Sequence, residues 1–403
     1  MIWKHTSSII ITVCASAATT LAISTCSNAT AKQANLTSVR TASLNVSASP
    51  FGLAYAPDHS AAFVALRTNL GVLNTSTFPP RLSHEIPLPV ETLQQGIYSP
   101  YIEGATGITI TQDGRFVLVT FFGLSALVVD AAKAIANSTD AVLGTLPGNI
   151  DYGNSAIEVT VSADDKYAFL SQEYGGASTG FQGSVEALAL NHTANGTLTG
   201  SFVAGQILDF AVVGTAVSPD GRYLYATSES ATYYSIAGVL SVIDIAKWTS
   251  GNTTGALVAQ VDAACAPVRV LASSDGKTVW VTARESNQLL AFNATALHSS
   301  TTAANALIAS VRVGYSPVGL TFACNESRIL TANSNRFDLP GATTGLSVVD
   351  VQAALRNSSS AVLGQIPTGK FPREFAMSPD GRTILVSEYG SRAVQAVDVT
   401  TLP

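Results

Sequence analysis

A five-residue turn phrase, Ser-Pro-Asp-Gly-Arg, occurs twice unchanged, at Ser218–Arg222 and Ser378–Arg382, and it belongs to a longer series. Looser copies are Ala56-Pro57-Asp58, Thr111-Gln112-Asp113-Gly114-Arg115, Ser162-Ala163-Asp164-Asp165-Lys166 and Ser273-Ser274-Asp275-Gly276-Lys277, and the most degraded is Ala323-Cys324-Asn325-Glu326. The turn positions 58, 113, 164, 220, 275, 325 and 380 recur every 50–56 residues, a period that marks a repeat architecture. Each phrase is a hairpin with a mechanism: Pro fixes φ on entry, Asp caps the local backbone and Gly takes a positive φ. The residues that follow alternate in period two, as in Tyr223-Leu224-Tyr225-Ala226-Thr227 and Thr278-Val279-Trp280-Val281-Thr282. A third strand comes next, for example Leu240-Ser241-Val242-Ile243-Asp244, and a fourth precedes the next unit, as in Val362-Leu363-Gly364-Gln365-Ile366. Four strands per unit, seven times, predict an all-β, seven-bladed propeller of four-stranded antiparallel blades.

Closure is legible too. The seventh unit runs out after its third strand, Val394-Gln395-Ala396-Val397-Asp398, while Ala42-Ser43-Leu44-Asn45-Val46 precedes Pro50 as the fourth strands precede Pro317 and Pro372. The N-terminal strand is expected to complete the last blade and remove an exposed edge. The organisation expected is a signal peptide over 1–24, a mature N-terminus without fixed structure over 25–41, and one propeller domain over 42–403.

Hydrophobic residues make up 47% and charged residues 12%, which excludes disorder as the main state. The net charge of -6, with no Lys/Arg run, excludes a nucleic-acid partner. Lys4 and His5 precede the apolar run Ile9–Ala15, and small residues follow at Ala22-Ile23-Ser24 and Ala29-Thr30-Ala31, the pattern of a cleaved secretory signal. Thr and Ser interrupt the run before it reaches the roughly 20 apolar residues that span a bilayer, so no stable membrane anchor is expected. Sequons stand at Asn28, Asn35, Asn45, Asn74, Asn137, Asn191, Asn195, Asn252, Asn293, Asn325 and Asn357 and fit a eukaryotic secretory route. The expectation is a secreted, glycosylated monomer. Cys14 leaves with the signal, and whether Cys26 stays depends on the cleavage point. The repeat register places Cys265 and Cys324 at opposite ends of successive inner strands, too far apart at ~3.3 Å per residue to pair.

The run Ser218–Thr227 and its six relatives resemble the YVTN-repeat and lactonase-type seven-bladed propellers, over nearly all of the mature chain. With the sequons, the resemblance implies an exported, fungal-like member. The family includes lactone hydrolases, muconate-lactonising enzymes, surface-layer proteins and exported proteins of other roles, so it leaves activity open. It implies that the first strand of each unit lines the central channel. Aligned four residues before the turn serine, these strands carry Gly52, Gly107, Glu158, Gly214, Arg269, Gly319 and Glu374. Glycine is the default where backbones crowd an axis, and three alternate blades replace it with a charge.

Glu158, Arg269 and Glu374 are therefore the candidate catalytic residues. Two readings stand: a salt-bridge plug between blades, or an Arg269 anion or carbonyl clamp with either carboxylate as general base. Arg373 neighbours this column, and strand alternation points it away from the axis. Loops after the second strands are expected on the same face as the column, bringing Glu173, Glu229, Arg284, Glu285, Arg336 and Glu388 as ligand-binding candidates beside Arg67, Tyr174, Tyr389 and Arg392. Lactonases of this type often carry Gly-Pro-Arg-His before the inner strand, where this chain has Phe371-Pro372-Arg373-Glu374. Zinc spacing, an EF-hand loop, a P-loop and a Gly-x-Ser-x-Gly elbow are missing from the sequence, so no metal or cofactor is called for. The readings in order are a propeller binding a small molecule or extracellular partner, a lactonase-like or lactonising enzyme, and a structural cell-envelope propeller.

Overall fold

The computed structural model describes residue 26 and residues 29–89, 104–121, 125–193 and 196–403. The expected signal and the sequons at Asn28 and Asn195 lie outside them. Seven four-stranded antiparallel sheets form the seven blades, so the propeller expected from the repeats is the fold. Blade 3 shows the plan: inner strand Ala156–Val161, then Tyr167–Gln172, Ser184–His192 and the outer strand Leu198–Ile207. Its register sets Ala156 against Gln172 and Ser184 against Ile207 at one edge, and Val161 against Ala168 and His192 against Leu198 at the other. Turns joining first to second and third to fourth strands thus share one face, here the hairpin face. Loops joining second to third strands, and blade to blade, share the opposite loop face.

The turn phrase has a physical reason. In blade 4 the Ser218 hydroxyl donates to Asp220 Oδ1 (2.5 Å) and accepts from the Tyr223 amide (2.9 Å). Asp220 also accepts the Arg222 amide (3.1 Å), and Gly221 takes φ +70°. The degraded copy instead puts Cys324, Asn325 and Glu326 at φ 52°, 51° and 61°. Third strands end in a residue that caps a short helix: Asp130, Asp244, Asn293 and Asp350 accept the amides of Lys133, Lys247, Ala296 and Ala353 at 2.7–3.1 Å. The core lies between blades. Tyr225, Val242 and Val261 of blade 4 pack on Val279, Val281 and Phe292 of blade 5.

The N-terminal strand, Thr41–Asn45, closes blade 7, with Thr41 opposite Val397 and Asn45 opposite Ala393. The expectation that the preceding residues lack fixed structure is corrected for residues 29–40. The Ala31 amide donates to Val313 O (2.9 Å), Leu36 N to Gln365 O (2.7 Å), and Gln365 N to Ala34 O (2.9 Å). The outer edge of blade 6 offers unpaired backbone groups, and this segment takes them. Cys26, whose fate the sequence left open, forms a disulfide with Cys265 (Cα–Cα 5.8 Å) at the loop-face end of blade 4. Cys324 does not pair with Cys265, as the register implied; it is free and donates to Val399 O (3.4 Å).

Candidate functional site

Six inner strands share one irregularity, a register shift at or beside the glycine/charge column: between Ala105 and Ile108, Ala156 and Glu158, Val212 and Gly214, Pro267 and Val270, Pro317 and Leu320, and Pro372 and Phe375. Crowding explains the column's glycines. A Cβ on Gly52 would meet Thr106 O at 2.7 Å, on Gly107 Ile157 O at 2.7 Å, on Gly214 Val268 O at 2.3 Å and on Gly319 Arg373 O at 2.2 Å. Each charged blade is followed by a glycine blade, which leaves room for a long side chain.

The three charges meet. Arg269 Nη2 and Nε donate to Glu374 at 2.6 and 3.2 Å, Nη1 donates to the Val213 carbonyl, and Nε lies 3.8 Å from Glu158 Oε1. Glu158 Oε2 accepts the Thr215 amide at 2.8 Å. Desolvation raises the Glu158 pKa to about 7, against the attraction of Arg269. Arg269 is buried, yet Glu374 and Glu158 hold it firmly protonated. A cavity of about 420 Å³ opens beside the triad, lined by Glu158, Thr160, Thr215, Arg269 and Glu374 and reaching Gln112 and Pro219 at the turns.

That cavity corrects one expectation. It opens toward the hairpin face, whereas the loops carrying the other candidates gather on the opposite face. A mid-strand column has two ends, and sequence spacing does not say which one is open. On the loop face Arg284 grips Glu229 with both terminal nitrogens (2.6 and 2.9 Å) and reaches Glu285 through Nε (3.1 Å). Desolvation, then the nearby Glu229 charge, pushes Glu173 up to about 7, and its Oε2 has no hydrogen-bond partner among the described residues. Arg336 is exposed at its loop, its guanidinium 5.5 Å from the Phe337 ring.

Glu388 does not join this group. It is buried within blade 7 and accepts the Gly369 amide at 2.7 Å, clamping the loop between blades 6 and 7. Glu186, which the sequence reading did not single out, does the same for Asn149 (2.7 Å), and burial raises it to about 7. Its signal was a lone charge inside an apolar third strand, Ser184–His192.

Arg373 is the second correction. It is not turned away from the axis, because the register shift between Pro372 and Phe375 breaks the alternation that would have pointed it outward. Its guanidinium lies 3.6 Å over the Phe51 ring, and its Nε is 3.7 Å from Glu374. Desolvation lowers its pKa to about 10, with Glu374 opposing and Arg269 and Arg336 adding to the fall.

Fold and site together define a seven-bladed β-propeller with an ion-paired channel. No family model and no curated protein matches the chain. Among solved structures, hydrazine synthase of Kuenenia stuttgartiensis superposes with a TM-score of 0.67 at 16% identity, covering 89% of this chain and 98% of that one. A chain of a mitotic checkpoint complex gives 0.64 at 14% identity, with 89% and 91% covered. Likeness at these identities carries the fold alone.

Proposed function

We propose that this chain is an exported, N-glycosylated binding propeller of the YVTN type that seats a small ligand in the channel cavity, where Glu158 meets it. One observation carries the reading: Glu158 lines an open cavity while the Thr215 amide anchors its Oε2, and burial raises its pKa to about 7. Arg269 is already spent on Glu374, Glu158 and Val213 O, so an anion clamp on Arg269 is the weaker part of the sequence reading. With Arg269 engaged, Glu158 is the group left to meet a ligand, which suits one offering a hydrogen-bond donor or an amine. Export is supported by the disulfide and by the exposure of all nine described sequon asparagines, Asn35, Asn45, Asn74, Asn137, Asn191, Asn252, Asn293, Asn325 and Asn357.

Calorimetric titration of the glycoprotein with small amines, hydroxy acids and lactones, beside Glu158→Gln, tests the reading. Binding by one class, weakened about tenfold in the variant, is the expected outcome; no binder, or equal affinity in both proteins, would refute it. The second reading, a lactonase-like or lactonising enzyme, is favoured by the same pKa, since a carboxylate near 7 is suited to general base work. Ring opening of any lactone in the panel, lost in Glu158→Gln, would put catalysis first.

A further inference from the structure

The two faces of the propeller differ in a way the channel does not explain. In each of blades 1–6 a sequon asparagine lies at the end of the third strand or in the connection from it to the fourth: Asn74, Asn137, Asn191, Asn252, Asn293 and Asn357, all exposed. These connections are on the hairpin face, as is the turn bearing Asn325. Among the described residues, nine of the twelve exposed large apolar side chains are on the loop face instead; Ile135, Leu307 and Ile308 are the exceptions.

The apolar residues concentrate on blades 3 and 4. Phe210 meets Tyr233 edge-on at 5.8 Å, and Tyr233 meets Tyr234 at 5.0 Å. Gly183, two residues after Phe181, donates its amide to Asp209 O (2.9 Å), which joins the loop of blade 3 to this cluster. Tyr234 is 94% exposed, Tyr233 69% and Phe181 61%. Phe181 also sits at φ +65°, a conformation costly for an aromatic residue and one that its exposure does nothing to offset.

We infer that this loop face of blades 3 and 4 docks a second extracellular protein whose contact surface is apolar at its centre and basic at its edge. Roughly 100–200 Å² from each of Tyr174, Phe181, Tyr233, Tyr234 and Ile236, with a smaller share from the half-buried Phe210, approaches the ~800 Å² a side that a specific interface buries. The rim sets the partner's charge. Asp151, Asp209 and Asp262 lie in the loops 148–155, 207–211 and 262–266, which together with 173–183 and 230–238 contain no Lys, Arg or His; Arg336 approaches the patch at Tyr174. A second copy would bring the same acidic rim against itself, and an acidic rim disfavours an anionic lipid surface. A ring of glycans on the opposite face would leave this one as the open approach. The inference rests on the export and glycosylation reading, and not on a ligand in the channel.

The test uses the full glycosylated chain in the cells that secrete it, with the photoreactive residue p-benzoylphenylalanine placed at Tyr234 or, as the hairpin-face control, at Leu307. Crosslinked peptides are identified by mass spectrometry, and glycopeptide mapping of the same sample reports occupancy at the six third-strand sequons. Expected is a protein adduct at least tenfold stronger from Tyr234 than from Leu307, with a Lys/Arg-rich crosslinked peptide. Asp151→Lys with Asp262→Lys, both at exposed positions, should reduce it about tenfold at an unchanged melting temperature. Equal adducts from both positions, adducts to lipid or to a second copy, or no adduct from a fully glycosylated protein would overturn the docking inference. Empty sequons would overturn the glycosylation reading on which it rests.

Discussion

Arg269 and Arg373 sit in inner strands of the same channel and fare differently. Arg269 is bound by a carboxylate along two of its nitrogens, by a carbonyl on a third, and has a second carboxylate within 4 Å. Arg373 lies on an aromatic ring, its Nε lacks a hydrogen bond among the described residues, and burial lowers its pKa. One arginine has its solvation replaced by protein; the other has lost water without full replacement. A buried charge of the first kind fastens blades, and one of the second kind remains available to an incoming group.

The largest test of this difference is substitution of each arginine by methionine, followed by denaturant unfolding. Arg269→Met strands Glu158 and Glu374 beside each other in the channel and is expected to cost about 3–5 kcal/mol. Arg373→Met removes a poorly compensated charge and is expected to stay within about 1 kcal/mol of the parent. Equal costs would erase the distinction. A smaller effect concerns pH. The folded pKa of Glu158 lies above its ordinary value, so between about pH 4.5 and 7 the folded protein holds more protons than the unfolded chain. Stability from this group is therefore present at low pH and declines as pH rises through that window. Glu158→Gln should flatten the slope by on the order of 1–3 kcal/mol between pH 5 and 8, leaving the contributions of Glu173 and Glu186, which have the same sign. A slope unchanged in the variant would mean that Arg269 keeps Glu158 ionised throughout.

Sequence reading reached the sevenfold repeat, the closing strand and the meeting of Glu158, Arg269 and Glu374, because hairpin chemistry and a glycine column leave local marks. It missed Arg373, because an inner-strand register shift is a property of two backbones and changes alternation without changing composition. It put the column and the loops on one face because spacing along a strand gives depth in the channel and not the end at which the channel is open. The N-terminal segment escaped for a related reason: Ala34 and Leu36 use backbone groups to bind the outer strand of blade 6 and Ala31 the loop before that blade, and backbone pairing with a distant edge has no side-chain signature. Glu388 stands at the loop-face end where the sequence put it, but its partner, the Gly369 amide of the loop between blades, left no mark on its sequence neighbours.

The smallest effect sharpens the comparison most. If Arg373 is held mainly by the Phe51 face, the two side chains should be coupled energetically although no charge pairs them. Phe51 is buried at the start of blade 1, packed edge-on to Tyr389 at 6.5 Å, so Phe51→Leu alone costs packing whatever Arg373 does. A double-mutant cycle with Arg373→Met separates the two contributions, since the packing loss appears in both arms and cancels. The expected coupling is about 0.5–2 kcal/mol, the range for a desolvated cation over a ring. The same cycle run between Phe51 and Arg269 should give a coupling near zero. A value near zero for Arg373 as well would mean that its position follows from the inner-strand register shift alone, with the ring as a neighbour and not a partner.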